Sequence, residues 1–328
     1  MTTIARSLPP GAQGRLPIVL IGGFLGSGKT TLLRQRYARG SDPRTAIIIN
    51  EFGAVGIDHL MVERSGTSPV LISGGCACCD RLADLIAALR ELVEDHQSGV
   101  RELDRVVIET SGLADPAPIV ASVAEDPMLR HHCYVEGVSV TVDAVNGTAD
   151  VEVQPEARKQ VAVADEIIIT KPDLVTPEAL DSLASDLQRL SPAAPVSVAV
   201  NGVVEPSPRW PALADQPAQD LDRLEHPGNV SATSVSTEDP LDWIAFSAWL
   251  SMLLGARGED VLRVKGIVNI AGSGAVALNG VQRVLHPPEH LGNSVERGFP
   301  TNLVFVTRGV EPGLIQRSMN TFQLIGLG

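Results

Sequence analysis

The chain has few aromatic residues, no run of basic residues and no long apolar segment. Phe, Trp and Tyr make up 3% of its 328 residues, which argues against the stacking platforms that bind single-stranded nucleic acids. The net charge is −13 and the basic residues are scattered, so no extended surface would neutralise the phosphates of a nucleic acid or an anionic membrane. No apolar stretch is long enough to span a bilayer. We therefore expect no nucleic acid and no membrane among its partners.

Cysteine is also scarce, at four residues, and residues 1–15 lack an apolar signal core. A structural disulfide framework is therefore not expected. Residues 1–15 contain P-P-G and are predicted to form a disordered tail. Hydrophobic residues make up 44% of the chain, enough for a real core, and the length suggests two domains. The composition favours a cytoplasmic enzyme or switch.

What the chain does contain is a phosphate-binding loop. Residues 23–30 read G-F-L-G-S-G-K-T and match G-x-x-x-x-G-K-[ST]. They follow an apolar run at 16–21 that predicts a buried strand, and residues 31–37 predict a helix. Glycines let backbone N–H groups point at phosphate oxygens, and the helix N-terminus adds partial positive charge. Lys29 is expected at the β- and γ-phosphates and Thr30 at Mg²⁺. The predicted nucleotide contacts in this segment are Gly23, Gly26, Ser27, Gly28, Lys29, Thr30 and Thr31.

Further strand signals alternate with helical ones along the first 200 residues. Apolar runs at 46–50, 70–72, 105–108, 138–142, 166–169 and 196–199 predict strands. Between them, residues 82–93 show helical spacing, with Asp80 as the expected N-cap. This alternation predicts an α/β fold with a mainly parallel sheet, as in P-loop NTPases.

A change of composition separates a second domain. Five prolines between residues 206 and 227 predict a linker at 205–228, because they break regular elements. It would divide a P-loop domain at 16–204 from a smaller α/β domain at 229–328. In the latter we expect a helix at 241–254 and strands at 261–270 and 303–306. Arg263 and Lys265 alternate with apolar residues and should share one face of a strand, which favours a solvent-facing position. The alternative is contact with the P-loop domain or with a client.

A carboxylate follows the strand predicted at 105–108. Glu109 comes at the carboxyl end of that strand, which faces the phosphate crevice in a parallel sheet. It can hold Mg²⁺ through water, and Gly112 can offer a backbone N–H to the γ-phosphate, so that the loop responds to hydrolysis. The alternative is an ordinary solvated carboxylate. With the phosphate loop upstream, we predict Lys29, Glu109 and Gly112 as the catalytic group.

The segment T-K-P-D at residues 170–173 indicates which base is bound. It is similar to the N-K-x-D element of GTPases, whose carboxylate accepts from the ring N–H and exocyclic amine of guanine. Adenine presents an acceptor there, so GTP is favoured over ATP, with Thr170, Lys171 and Asp173 as predicted contacts. Thr170 stands where the motif has Asn, and we expect this change to remove a brace to the phosphate loop. A capped turn leading into a helix is the alternative.

Three thiols lie close together in the segment G-C-A-C-C at residues 75–79. On a loop, Cys76, Cys78 and Cys79 would bind Zn²⁺, or equally Cu⁺, Fe²⁺ or Co²⁺. Three sulfurs fall short of a closed four-ligand zinc shell, which suits transfer of the metal. Glu51, in N-E-F-G, can complete the site or sense the nucleotide. A redox pair and inert packing are the alternatives. For the H-H-C segment at 131–133 we expect a structural role.

These motifs together resemble the CobW-type GTPases, relatives of the HypB and UreG metallocentre chaperones. The resemblance rests on G-F-L-G-x-G-K-T-T, N-E-F-G followed by G-I-D, G-C-x-C-C and E-T-S-G-L-A-D-P, and more weakly on L-R-V-K-G and H-P-P near the C-terminus. It implies a GTPase that uses GTP and Mg²⁺, carries Zn²⁺ or Co²⁺ and serves a client metalloprotein. A homodimer is compatible with this. Ala54 stands where many members have Glu, and the chain lacks the histidine-rich stretch of many zinc-linked members.

Two other classes of function fit the same residues. A small-molecule kinase would use the same phosphate loop, but it would need a pocket for an acceptor substrate. A kinase function would also not explain the three thiols. A metal-binding regulatory module with a vestigial nucleotide site would bind metal without turning over GTP. Measurement of GTP turnover with and without metal separates the three classes.

Overall fold

The computed structural model describes residues 14–38, 44–49, 70–71, 78–205, 208–212, 230–291, 299–311 and 313–326. The chain divides into two units, one built mainly of residues before 211 and the other mainly of residues after it. The linker predicted at 205–228 falls largely outside the described residues, so its boundaries stay a prediction.

The first unit is built on a mainly parallel sheet. Its described strands are β1 (Leu16–Gly23), β2 (Thr45–Ile49), β3 (Val70–Leu71), β4 (Arg105–Glu109), β5 (Cys133–Asp143), β6 (Glu166–Thr170), β7 (Val196–Val200) and β8 (Val203–Val204). The order across the sheet is β3-β2-β4-β1-β5-β6-β7-β8. Neighbouring strands are parallel except β7 and β8, which are antiparallel. The predicted parallel sheet is confirmed.

The central strands are apolar because both of their faces are covered. Ile18, Leu20, Ile48 and Ile108 are fully buried, as expected for a parallel sheet with helices on either side. The strand β1 lies between β4 and β5, and β6 follows β5. The carboxyl ends of β1, β4, β5 and β6 therefore lie at one edge of the sheet, where the loops that follow them can meet.

The helices of this unit follow the strands. They are α1 (Lys29–Leu33), which continues as a π-helical turn (Arg34–Ala38), α2 (Cys78–Gln97), α3 (Ala117–Glu125), α4 (Leu129–His132), α5 (Gly147–Val153), α6 (Pro155–Ala162) and α7 (Pro177–Leu190), with a 3₁₀ turn at Pro172–Leu174. Two expectations were wrong at α2. The helix begins at Cys78, so Asp80 is not its N-cap, and Cys78 and Cys79 belong to the helix rather than to a loop. No Gly or Pro stands at 78–80 to delay the start of the helix.

The second unit combines an antiparallel sheet with two helices. Its elements are β9 (Val230–Thr237), α8 (Trp243–Arg257), β10 (Val261–Ile270), β11 (Gly274–Val281), β12 (Val284–Leu285), β13 (Glu289–His290), β14 (Thr301–Arg308) and α9 (Leu314–Gly326). The sheet order is β12-β11-β10-β14-β9, with β13 paired to β11. Phe246, Trp249, Phe305 and Met319 share one core between sheet and helices. The solvent-facing position expected for Arg263 was wrong, since this residue is 1% exposed in a strand that is paired on both edges.

None of the helices within the described ranges is both long and apolar enough to cross a membrane.

Candidate nucleotide-binding site

The loop between β1 and α1 has the tight backbone that its glycines predict. Gly23 has φ +140°, and a Cβ at this position would lie 2.3 Å from Thr141 Oγ1. Any larger residue would therefore collide with β5. Ser27 is buried and its hydroxyl lies 2.7 Å from Thr141 Oγ1. The loop is thus held close to the neighbouring strand, with its open side away from the sheet.

A cleft of about 350 Å³ opens at this loop. It brings together most of the residues predicted for the nucleotide. Leu25, Gly26, Gly28, Lys29, Thr30, Thr31, Glu109, Ser111, Gly112 and Lys171 line it. Gly23, Ser27 and Thr170 are not part of the described lining, and Ser27 contacts Thr141 and Thr170 instead. Asp173 is exposed in the 3₁₀ turn, two residues beyond Lys171, and is not part of the described lining.

The chemistry of a metal–nucleotide site would depend on two of these residues. Thr30 Oγ1 donates a 2.6 Å hydrogen bond to Glu109 Oε1, and Glu109 is only 2% exposed. A hydroxyl and a carboxylate are the hard oxygen ligands that Mg²⁺ takes, so the donor set fits this ion. The ammonium of Lys29 donates to the carbonyl oxygen of Phe24 at 3.1 Å. Three groups predicted from two separate motifs therefore lie in one cleft.

Thr170 is hydrogen-bonded to the phosphate loop, although we expected this connection to be lost because threonine stands where the motif has Asn. Thr170 Oγ1 donates to the carbonyl oxygen of Ser27 at 2.8 Å and lies 3.3 Å from that of Val142. The threonine at the end of β6 therefore reaches the phosphate loop directly. The expectation that the missing Asn loosens this connection was wrong.

Lys171 is fixed by a residue that the motifs did not single out. Its ammonium donates to the Gly26 carbonyl oxygen at 2.9 Å and to Asp143 Oδ2 at 2.6 Å. Burial alone would raise the pKa of Asp143, but donors from Lys171, Val145 and Asn146 outweigh it and lower that pKa. The carboxylate is therefore charged at neutral pH. The only sequence signal for Asp143 is its place at the end of an apolar strand.

The turn after β4 packs against the phosphate loop. The N–H of Ala114 donates to the Ser111 carbonyl oxygen at 3.0 Å, which closes a turn around Gly112. A Cβ on Gly112 would lie 2.7 Å from Leu25 Cδ2 and 2.9 Å from the Leu25 nitrogen, so only glycine permits this approach. The buried amide of Gln160 donates to the turn from the other side. No motif pointed to Gln160.

The predicted metal site lies mostly outside the described residues. Cys76 and Glu51 are not among them, and Cys78 and Cys79 are placed only as the first residues of α2. Across the described ranges, no group of three or more His, Cys, Asp or Glu side chains could hold a metal ion. The ligand set Cys76, Cys78, Cys79 and Glu51 therefore stays a prediction.

The structural role expected for the H-H-C segment agrees with its position. His131 and His132 end α4, and their rings lie 4.8 Å apart. Cys133 begins β5 and is buried, and this burial raises the pKa of its thiol to about 12. A thiol that stays protonated is a poor metal ligand.

Comparison with known proteins covers both units. The family model described as CobW/HypB/UreG, nucleotide-binding domain matches residues 17–198. The model described as the cobalamin synthesis protein cobW C-terminal domain matches residues 230–323.

Individual relatives extend this similarity along most of the chain. The zinc chaperone YjiA of Escherichia coli is 32% identical over 288 residues, which cover 82% of this chain and 87% of the relative. Zinc-regulated GTPase metalloprotein activator 1 of Saccharomyces cerevisiae is 30% identical over 206 residues, which cover 56% of this chain and 47% of the relative. The crystal structure of Zn(II)-bound YjiA GTPase from E. coli matches with a TM-score of 0.70 at 26% identity, over 94% of this chain and 99% of that one.

Proposed function

The chain belongs to the CobW/HypB/UreG family, and we propose that it is a GTP-hydrolysing metallochaperone of the cytoplasm. Its cargo would be a thiophilic divalent metal bound at Cys76, Cys78 and Cys79, with Glu51 as a further ligand. Zinc is the first candidate because relatives carry names such as zinc chaperone and zinc-regulated GTPase. Cobalt is the second, on ligand chemistry alone. The receiver would be a client metalloprotein.

The observation that carries the GTPase assignment is the hydrogen bond between Thr30 and Glu109. It joins the end of the phosphate loop to the end of β4 at 2.6 Å, beside Lys29 in one cleft. Thr30 and Glu109 would hold Mg²⁺, which when bound neutralises phosphate charge. Lys29 would donate to the β- and γ-phosphates in place of the Phe24 carbonyl. Fixed charges of this kind supply most of the catalysis in phosphoryl transfer.

Selection of guanine would fall to the T-K-P-D turn. Lys171 lines the cleft and is held by Gly26 and Asp143, which fixes the start of the turn against the phosphate loop. Asp173 follows two residues later with its carboxylate exposed. It is thus free to accept hydrogen bonds from guanine's ring N–H and exocyclic amine.

A connection between the nucleotide and the thiols is supported by an ion pair inside the first unit. Arg90 on α2 donates through Nε to Asp126 Oδ2 at 2.9 Å. Asp126 follows α3, the helix that comes after the Gly112 turn, and α2 begins with Cys78 and Cys79. A shift of that turn on loss of the γ-phosphate can therefore reach the helix that carries two of the thiols. Two discrete positions of the turn are what such coupling requires.

The proposal is tested by zinc titration in two nucleotide states. We expect tighter zinc binding with a non-hydrolysable GTP analogue than with GDP, by a factor of about 5 to 150, and zinc must then tighten binding of the analogue by the same factor. Cys78→Ser/Cys79→Ser should lose tight zinc binding and keep GTP binding. Cys133→Ala is the matched control, because Cys133 is a buried thiol that is not among the predicted ligands.

Three outcomes contradict parts of the proposal. If the purified protein does not turn over GTP with or without zinc, the protein is a metal-binding regulatory module with a vestigial nucleotide site. Turnover that appears only when a small-molecule acceptor is added makes the protein a kinase. Equal zinc affinity in the two nucleotide states leaves two independent sites on one chain.

A further inference from the structure

Gln160 on α6 is a buried amide that faces the turn around Gly112. Its side chain has no exposed surface. Its Nε2 lies 3.1 Å from the Gly112 carbonyl oxygen and 2.8 Å from that of Ala114. An amide nitrogen carries two hydrogens, so the whole donor capacity of Gln160 goes to one turn.

The turn is consequently held from two directions. On one side Gly112 lies against Leu25 of the phosphate loop, with no space for a side chain between them. On the other side Gln160 binds the carbonyl groups that flank Leu113. Backbone carbonyls fixed in this way restrict rotation of the peptide planes, so the position of Gly112 in the cleft depends on α6.

The oxygen of the Gln160 amide indicates why a glutamine stands at this position. Gln160 Oε1 is buried and makes no hydrogen bond with any described residue. Burial of an oxygen without a partner destabilises the folded state. An apolar side chain of the same length would fill this position in α6 without that cost. Simple packing therefore does not account for a glutamine here, whereas the two hydrogen bonds to the turn do.

We propose that Gln160 is a positioning residue that holds the Ser111–Ala114 turn where Gly112 meets the γ-phosphate, and so lets the protein distinguish GTP from GDP. The inference rests on the GTPase function proposed above. GDP has no γ-phosphate, so the position of the turn affects binding of GTP and leaves binding of GDP nearly unchanged. Loss of two neutral hydrogen bonds is expected to weaken GTP binding roughly tenfold to a hundredfold.

The test is Gln160→Met, which keeps the length of the side chain and removes both donors. Dissociation constants are measured for GDP and for a non-hydrolysable GTP analogue, together with kcat and KM for GTP. We expect the analogue to bind roughly ten to a hundred times more weakly, GDP to bind within about twofold of wild type, and kcat to fall.

A chemically matched control lies elsewhere in the chain. Gln188 on α7 is also buried, and its Nε2 donates to the Pro211 carbonyl oxygen at 2.7 Å. It is not part of the described cleft lining. Gln188→Met therefore removes a buried amide of the same kind, and we expect it to leave both dissociation constants unchanged. If Gln160→Met does not fold, Gln160→Asn replaces it, because the shorter amide cannot reach both carbonyls.

The outcomes separate this inference from the proposed function. If Gln160→Met binds the GTP analogue in preference to GDP as strongly as the wild type does, the role of Gln160 is overturned. The proposed GTPase function is not affected by that outcome. Equal weakening of GDP and the analogue makes Gln160 a structural residue and also overturns its positioning role. A wild-type protein that turns over no GTP overturns both proposals, whereas a wild-type protein that turns over GTP but binds GDP and the analogue equally well overturns only the role of Gln160.

Discussion

The hydroxyl of Thr170 lies 2.8 Å from the carbonyl oxygen of Ser27. This hydrogen bond joins the last residue of β6 to the phosphate loop that follows β1. One residue further, Lys171 binds the Gly26 carbonyl oxygen of the same loop. The segment that would recognise the base and the segment that would recognise the phosphates are therefore held together before any nucleotide arrives, which lowers the cost of ordering the site on binding.

Thr170→Val is expected to weaken GTP and GDP binding alike, by about 5- to 30-fold. Valine keeps the shape of the side chain but cannot donate, so the buried Ser27 carbonyl loses a partner at a cost of about 1–2 kcal/mol. Titration of fluorescent GTP and GDP analogues measures the effect. Thr170→Ser retains the hydroxyl and should bind like wild type. A Thr170→Val protein with unchanged affinity would show that Lys171 alone holds the two segments together.

Lys29→Ala is expected to reduce GTP turnover roughly a hundredfold or more, because a fixed positive charge at the β,γ-bridge is lost. Phosphate release under single-turnover conditions is the appropriate measurement. Lys159→Ala, which removes a lysine from α6 outside the described cleft lining, is the control and should turn over GTP normally. Turnover that persists in Lys29→Ala would mean that the activity belongs to another site or to a contaminant.

Asp173→Asn is expected to change the base that is bound. The carboxylate accepts from two donors of guanine, whereas an amide can donate to the additional carbonyl of xanthine. Competition titrations should show GTP affinity falling and xanthosine triphosphate affinity rising. Asp181→Asn, an exposed aspartate on α7, controls for the loss of one negative charge. Equal affinity of the wild type for GTP and ATP would contradict the assignment of guanine recognition to the T-K-P-D turn.

Cys133 is expected to resist alkylation in the folded protein. Burial raises the pKa of its thiol to about 12, so at pH 8 the thiol stays protonated and the reactive thiolate is scarce. Mass spectrometry after iodoacetamide treatment at pH 8 should find Cys133 unmodified until the protein is unfolded. Rapid modification of native protein would contradict the burial of this thiol.

The same raised pKa has a consequence for stability. The unfolded chain loses the thiol proton near pH 8.5, well before the folded protein does. The free energy of unfolding should therefore decrease as the pH rises from about 8.5 towards 12, because the folded state then binds more protons than the unfolded state. Cys133→Ala should show a smaller decrease over this range, measured by urea unfolding at several pH values.

Local patterns were enough to predict the central strands of the first unit and the position of the nucleotide site. Continuous apolar runs mark buried parallel strands, and the motifs that follow β1, β4 and β6 come together because those strands end at one edge. In the second unit the bounds of β10 match the prediction at 261–270. By contrast, β9 reads V-S-A-T-S-V-S-T and was not predicted, because its apolar residues are too few to stand out without its partner strand. The C-terminal helix α9 was not predicted either.

The supporting residues of the site could not be found from the sequence. Asp143 lies 28 residues before Lys171, and Gln160 lies 48 residues after Gly112. Neither belongs to a motif, and each acquires its role only when the sheet brings distant strands and helices together. The error at Thr170 has the same origin. The hydrogen bond from Thr170 to Ser27 joins residues 143 positions apart, so no local pattern reveals it.

The order of strands in the first sheet also affects how the protein is made. The neighbours of β1 are β4 and β5, so this apolar strand has no partner in the sheet until residues 105–109 have been synthesised, and its second partner follows at 133–143. The hydrogen bond from Thr170 to Ser27 must wait longer still. At about 5–20 residues per second, roughly 7 to 30 s separate translation of Ile21 from that of Thr170. Throughout this interval the phosphate loop lacks the hydrogen bond from Thr170, and in its first part β1 also lacks both of its partner strands.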